Sequence, residues 1–89
     1  MLKIYGSPLC KDCVVCKAEL EKAGVEFLYL DITGNLLFLK QFLKLRERPQ
    51  FDSIREKGQI GIPCILREDE SVCFDWKEFL RINRNFTGN

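Results

Sequence analysis

No histidine occurs anywhere in the 89 residues. That absence excludes imidazole general acid–base chemistry, Cys-His nucleophile pairs and histidine-bearing zinc sites. Long apolar runs are also missing: the most hydrophobic stretch, "LLFLKQFLKL", is far too short to span a bilayer and carries Lys40 and Lys44, so it reads as an amphipathic helix and no membrane partner is expected. Charge of one sign is not in excess, since 14 basic residues face 13 acidic ones. A near-neutral chain has no electrostatic footprint for nucleic acid. Linkers, repeats and low-complexity tracts are lacking, and 89 residues allow one compact unit with a modest core, so a single domain over 1–89 is expected.

What remains for chemistry is sulfur, carboxylate and amine. Five cysteines is a high count at this length, but the number is odd, and the opening "MLKIYGSP" lacks the charged-then-apolar layout of a secretory signal. A reducing cytoplasm is the expected compartment. Three of the five fall within seven positions, in "CKDCVVC" (Cys10, Cys13, Cys16).

The local patterns place those cysteines. "LKIYG" is a β-branched and aromatic run closed by Gly6 and Pro8, a strand followed by a turn. From 11 to about 23 no breaker occurs, and Gly24 stands where a left-handed cap ends a helix. "VEFLYLDI" reads as a second strand, which with the first forms a βαβ unit with parallel strands. An amphipathic helix over 35–46, interrupted near Pro49, is followed by a shorter helical piece, "QFDSIREKG". "IGIPCILRE" and "SVCFD" form an antiparallel hairpin, and Asp75 caps a last helix with Glu78 completing a D-x-x-E box.

Cys10 thus falls at a helix N-terminus, where unpaired N–H groups and the macrodipole favour negative charge on sulfur and make a thiol nucleophilic near neutral pH. Lys11 and Lys17 add positive charge and Asp12 opposes it. Cys13 lies on the same helix face, close enough for the two sulfurs to form a disulfide. The competing reading is two inert buried thiols. Cys16 makes a second C-x-x-C with Cys13, superficially like an iron–sulfur ligand run, but the fourth cysteine and its proline are missing. A packed core thiol is the alternative for Cys16. Cys64 and Cys73 occupy apolar strand positions and read as packing, with Cys64 also adjoining Pro63.

"YGSPLCKDC" followed by "GIPCIL" resembles the glutaredoxin branch of the thioredoxin fold, and the likeness in element order covers nearly the whole chain. The resemblance implies a β-α-β-α-β-β-α chain with a central four-stranded mixed sheet flanked by helices. It implies a redox dithiol at Cys10 and Cys13, with Cys10 attacking a disulfide and Cys13 resolving the mixed disulfide. It implies a cis Ile62–Pro63 bond facing the dithiol, with the Ile62 backbone free to pair with an extended substrate. Lys11 stands where the family usually has proline and is expected to tune the thiolate, Asp12 replaces an aromatic residue, and Ser7 replaces a lysine that contacts a glutathione carboxylate. Asp75 matches an acidic residue that meets glutathione's amino group. The substrate implied is a disulfide-containing protein or small thiol, handled by a monomer with no tightly bound cofactor and with glutathione as a candidate reductant. Two other classes stay open: an iron–sulfur or metal carrier using Cys10 and neighbouring thiols, and a redox-inactive interaction module.

Overall fold

The computed structural model describes residues 1–87, with side chains through residue 83. The elements run in the order β1 (Lys3–Gly6), α1 (Lys11–Lys22), β2 (Leu28–Asp31), α2 (Leu36–Leu45), a 3-10 turn (Pro49–Phe51), α3 (Asp52–Glu56), β3 (Cys64–Leu66), β4 (Val72–Cys73) and α4 (Trp76–Thr87). The strands form one sheet in the order β2-β1-β3-β4, with β1 parallel to β2, antiparallel to β3, and β3 antiparallel to β4. This is a mixed four-stranded α/β sheet of thioredoxin-like type.

Alternation along the strands divides the interior. Ile4 and Ile65 face one side, where Cys16 and Leu20 of α1 and Trp76, Phe79 and Leu80 of α4 cover them. Tyr5, Cys64 and Leu66 face the other, against Phe42 and Leu45 of α2 and the wholly buried Phe51. Phe51 packs edge-on against both Phe42 and Phe74, with ring centroids 5.9 and 4.8 Å apart. That aromatic chain ties the short helical segment to the hairpin.

Several details differ from the sequence expectation, among them the hairpin strands, which cover only Cys64–Leu66 and Val72–Cys73. The second strand covers only Leu28–Asp31, because β1 offers four residues to pair with, and one further bond at each end (Leu28 N–H to Leu2 C=O, Ile32 N–H to Gly6 C=O) exhausts the ladder. "QFDSIREKG" is not one helix: Pro49 starts a 3-10 turn, and α3 begins at Asp52 and gives way to Gly58 at φ +69°. The capping box before α4 is half formed. Asp75 Oδ1 accepts the Glu78 N–H at 3.1 Å, but the Glu78 carboxylate turns to Arg81, a closer and oppositely charged partner on the next turn.

Candidate functional site

The turn between β1 and α1 builds the site. Cys10 N–H donates to the Ser7 carbonyl at 3.1 Å, closing the turn, and the Leu9 N–H donates to Ser7 Oγ at 3.0 Å. Ser7 is itself buried, and its Oγ lies 2.9 Å from Thr33 Oγ1. Thr33 Oγ1 donates to Asp31 Oδ1 at 2.7 Å and its N–H donates to the same oxygen at 2.9 Å. A carboxylate only accepts, so the Thr33 proton is committed to Asp31 and the Ser7 hydroxyl donates to Thr33. The result is a one-way chain from Leu9 through Ser7 and Thr33 to a carboxylate, each link polarising the next. These hydrogen bonds hold Asp31 below the ordinary aspartate range. Reading the sequence missed Thr33 and Asp31. The signal was the Asp-x-Thr of "DITG", a pattern whose side chains bond their own backbone two residues on.

Cys10 then takes the N-cap position of α1 with extended backbone, and its Sγ accepts the Cys13 N–H at 3.3 Å. Sulfur here replaces the usual capping oxygen, so one of the orphan amides at the helix start points at it. The same Sγ lies 4.0 Å from the Ile62 carbonyl oxygen. Cys10 is partly exposed, whereas Cys13, directly behind it, is wholly buried. Burial foremost, and then the hydrogen bond with the Cys10 sulfur, push the Cys13 thiol up to about 12.

Ile62–Pro63 is a cis peptide bond, as expected. Gly61 before it adopts φ +98°, and a Cβ there would stand 3.1 Å from the Phe51 ring. Only glycine meets both demands. The segment 59–63 forms one wall of a groove of about 750 Å³ that also includes Cys10, Leu9, Asp12, Phe74 and Trp76. Of the residues singled out from sequence, Ser7, Cys10, Asp12, Ile62 and Pro63 line this groove, and Cys13 lies behind Cys10 outside the lining. Lys11 and Asp75 are exposed and outside its lining, each next in sequence to residues that line it, and the Asp75 carboxylate is engaged in capping α4.

The other thiols sit elsewhere. Cys16 is wholly buried between α1, α4 and the sheet, and Cys64 is wholly buried on the opposite face. Burial first, then nearby thiols, push each up to about 12. Cys73 is partly exposed, with Sγ 3.5 Å from the Asp75 carbonyl. Among the described residues no group of three or more cysteine and acidic side chains is gathered to hold a metal ion, and no helix is long and apolar enough to cross a membrane.

The sheet order and the helices on both faces define a thioredoxin-like fold, with a thiol at its first strand-to-helix turn. A glutathione transferase homologue from Sulfitobacter, solved with bound glutathione, is similar to it with a TM-score of 0.54 at 19% identity. The alignment covers 99% of this chain and 38% of that one, so the chain spans well under half of the transferase homologue, and the likeness is one of fold. A Haemophilus influenzae protein described as an uncharacterized protein is 33% identical over 73 residues, covering 81% of this chain and 85% of its own. The chain belongs to the same family as that protein. No protein-family model matches the chain.

Proposed function

We propose that the protein is a thiol–disulfide oxidoreductase of glutaredoxin type, with Cys10 as nucleophile and Cys13 as resolving thiol. One observation carries the reading: Cys10 Sγ caps α1, receives the Cys13 N–H at 3.3 Å, and opens on the groove bounded by Ile62–Pro63. An amide donor fixes the Cys10 sulfur at the mouth of the groove, where its thiolate form is the one that attacks.

The Cys10 thiolate attacks one sulfur of a substrate disulfide. The S–S bond breaks, and the departing thiolate takes a proton from water. Cys13 then loses its proton and attacks Cys10 Sγ, forming the Cys10–Cys13 disulfide and releasing the second substrate thiolate, which is protonated in turn. Two electrons pass from the dithiol to the substrate. Two glutathione molecules, or one dithiol, return the protein to its starting state and leave as a disulfide. Burial of Cys13 suits it to the second step, because a thiol held as S–H does not compete for incoming disulfides. The Ile62 backbone is assigned to pairing with the substrate chain, and Lys11 and Asp75 to contacts outside the groove lining.

The test is incubation of reduced protein with a disulfide, followed by peptide mass spectrometry. A Cys10–Cys13 bridge is expected from the native sequence, a persistent Cys10 adduct from Cys13→Ser, and no product from Cys10→Ser. Full turnover by Cys10→Ser would refute the assignment.

A further inference from the structure

Building on the thiol chemistry proposed above, we infer that the groove beside Cys10 takes an extended protein segment, its disulfide flanked by apolar side chains and a basic residue, and disfavours small anionic disulfides. The argument begins with charge. Among the described side chains no lysine or arginine lines the groove, and its one charged lining side chain is Asp12. A glutathione unit carries two carboxylates and one ammonium group. Along the described lining its carboxylates meet no cationic side chain and face a third carboxylate on the exposed Asp12, a repulsion that added salt weakens. The hydroxyls that line the groove do not substitute for a cation, because Ser7 and Thr33 are committed to one another, to Leu9 and to Asp31.

The apolar surface points the same way. Leu9 is 85% exposed and Ile60 58% exposed, and both line the groove together with Ile54, Ile62 and Phe74. Exposed apolar side chains gathered around a reactive atom mark a contact surface rather than a core. A tripeptide has too little apolar surface to cover them, whereas a chain running along residues 59–63 covers them on both sides of its cysteine. Arg46 takes the Gln59 and Ile60 carbonyls, but no hydrogen bond within the described chain engages the Ile62 N–H, so the backbone at Ile62 is open to an added strand. Asp12 then pairs with a basic residue next to the substrate cysteine.

The experiment compares two heptapeptides, each carrying one cysteine disulfide-bonded to 2-mercaptoethanol between apolar residues, one with lysine and one with glutamate beside the cysteine. Oxidised glutathione is the third probe. Rates of adduct formation at Cys10 are read by mass spectrometry on reduced Cys13→Ser, in which no resolving thiol displaces the adduct. The lysine peptide should react on the order of tenfold faster than the glutamate peptide and than oxidised glutathione at low salt, and Asp12→Asn or added salt should narrow the gap. Equal rates, or preference for glutathione, overturn the inference. Binding is read separately, by amide shifts at 59–62 in Cys10→Ser with peptides that carry serine in place of cysteine. Shifts following the same lysine-over-glutamate order while no probe oxidises the native dithiol or forms an adduct with Cys13→Ser would uphold the groove assignment and refute the redox assignment. Absence of shifts with either peptide would overturn the groove assignment.

Discussion

Alkaline pH should unfold the reduced protein for a reason that lies in its buried sulfurs. Cys16 and Cys64 are wholly buried, and each is pushed from the usual 9.0 to about 12. Above pH 9 the unfolded chain therefore releases these protons while the folded chain keeps them. The folded state binds more protons, and stability falls as pH rises, at about 1.4 kcal/mol per pH unit for each thiol until the folded values are reached near pH 12. Two thiols remove about 3 kcal/mol by pH 10 and about 5 kcal/mol by pH 11. That is a large part of the roughly 5–13 kcal/mol expected of a domain this size. Cys13, raised in the same direction, adds to the loss only while it is a free thiol. Closing a Cys10–Cys13 disulfide should therefore make the protein less sensitive to base. The assay is the urea midpoint at pH 8, 9 and 10 under a phosphine reductant, for the native sequence and for Cys16→Ala. The substitution changes absolute stability through packing, but its diagnostic effect is a slope shallower by about 1.4 kcal/mol per pH unit. A midpoint that stays flat to pH 10, or a slope unchanged in Cys16→Ala, would refute the reasoning.

Other consequences can be tested directly. In the native state iodoacetamide at pH 7.5 should modify Cys10 well before Cys13, Cys16 and Cys64, since those three are wholly buried and held as S–H; peptide mapping that finds Cys13 labelled as fast as Cys10 would contradict the site geometry. Gly61→Ala combines a φ of +98° with a Cβ 3.1 Å from Phe51, and should cost about 1–3 kcal/mol in urea unfolding while slowing adduct formation at Cys10. Ser7→Ala removes two hydrogen bonds, but Leu9 and Thr33 are exposed and can turn to water, so a loss near 1 kcal/mol is expected by the same method, with slower adduct formation at Cys10 as its turn loosens. In a carboxyl NMR titration Asp31 should ionise below ordinary aspartates, and Thr33→Val should raise it only part of the way, since the backbone N–H at position 33 still donates to the carboxylate.

Much of this was decided by local rules that a linear pattern carries. The breaker-free stretch after Pro8, the glycine at 24 and the β-branched runs dictated helix α1 between parallel strands, because capping and periodicity act within a few residues. They also put Cys10 at a helix start with Cys13 one turn on. The C-x-x-C beside an Ile-Pro further along carried the resemblance through which the cis bond was anticipated. What local rules could not supply was anything that depends on which distant segments meet. The shortness of β2 follows from the length of β1, and the splitting of the middle helical segment follows from Pro49 together with the seat that Phe51 finds between Phe42 and Phe74. The chain of hydroxyls from Ser7 to Asp31 joins residues more than twenty positions apart. The charge of the groove is likewise a property of the folded molecule: among the described side chains no lysine or arginine lines it, because lining is set by three-dimensional packing and not by composition.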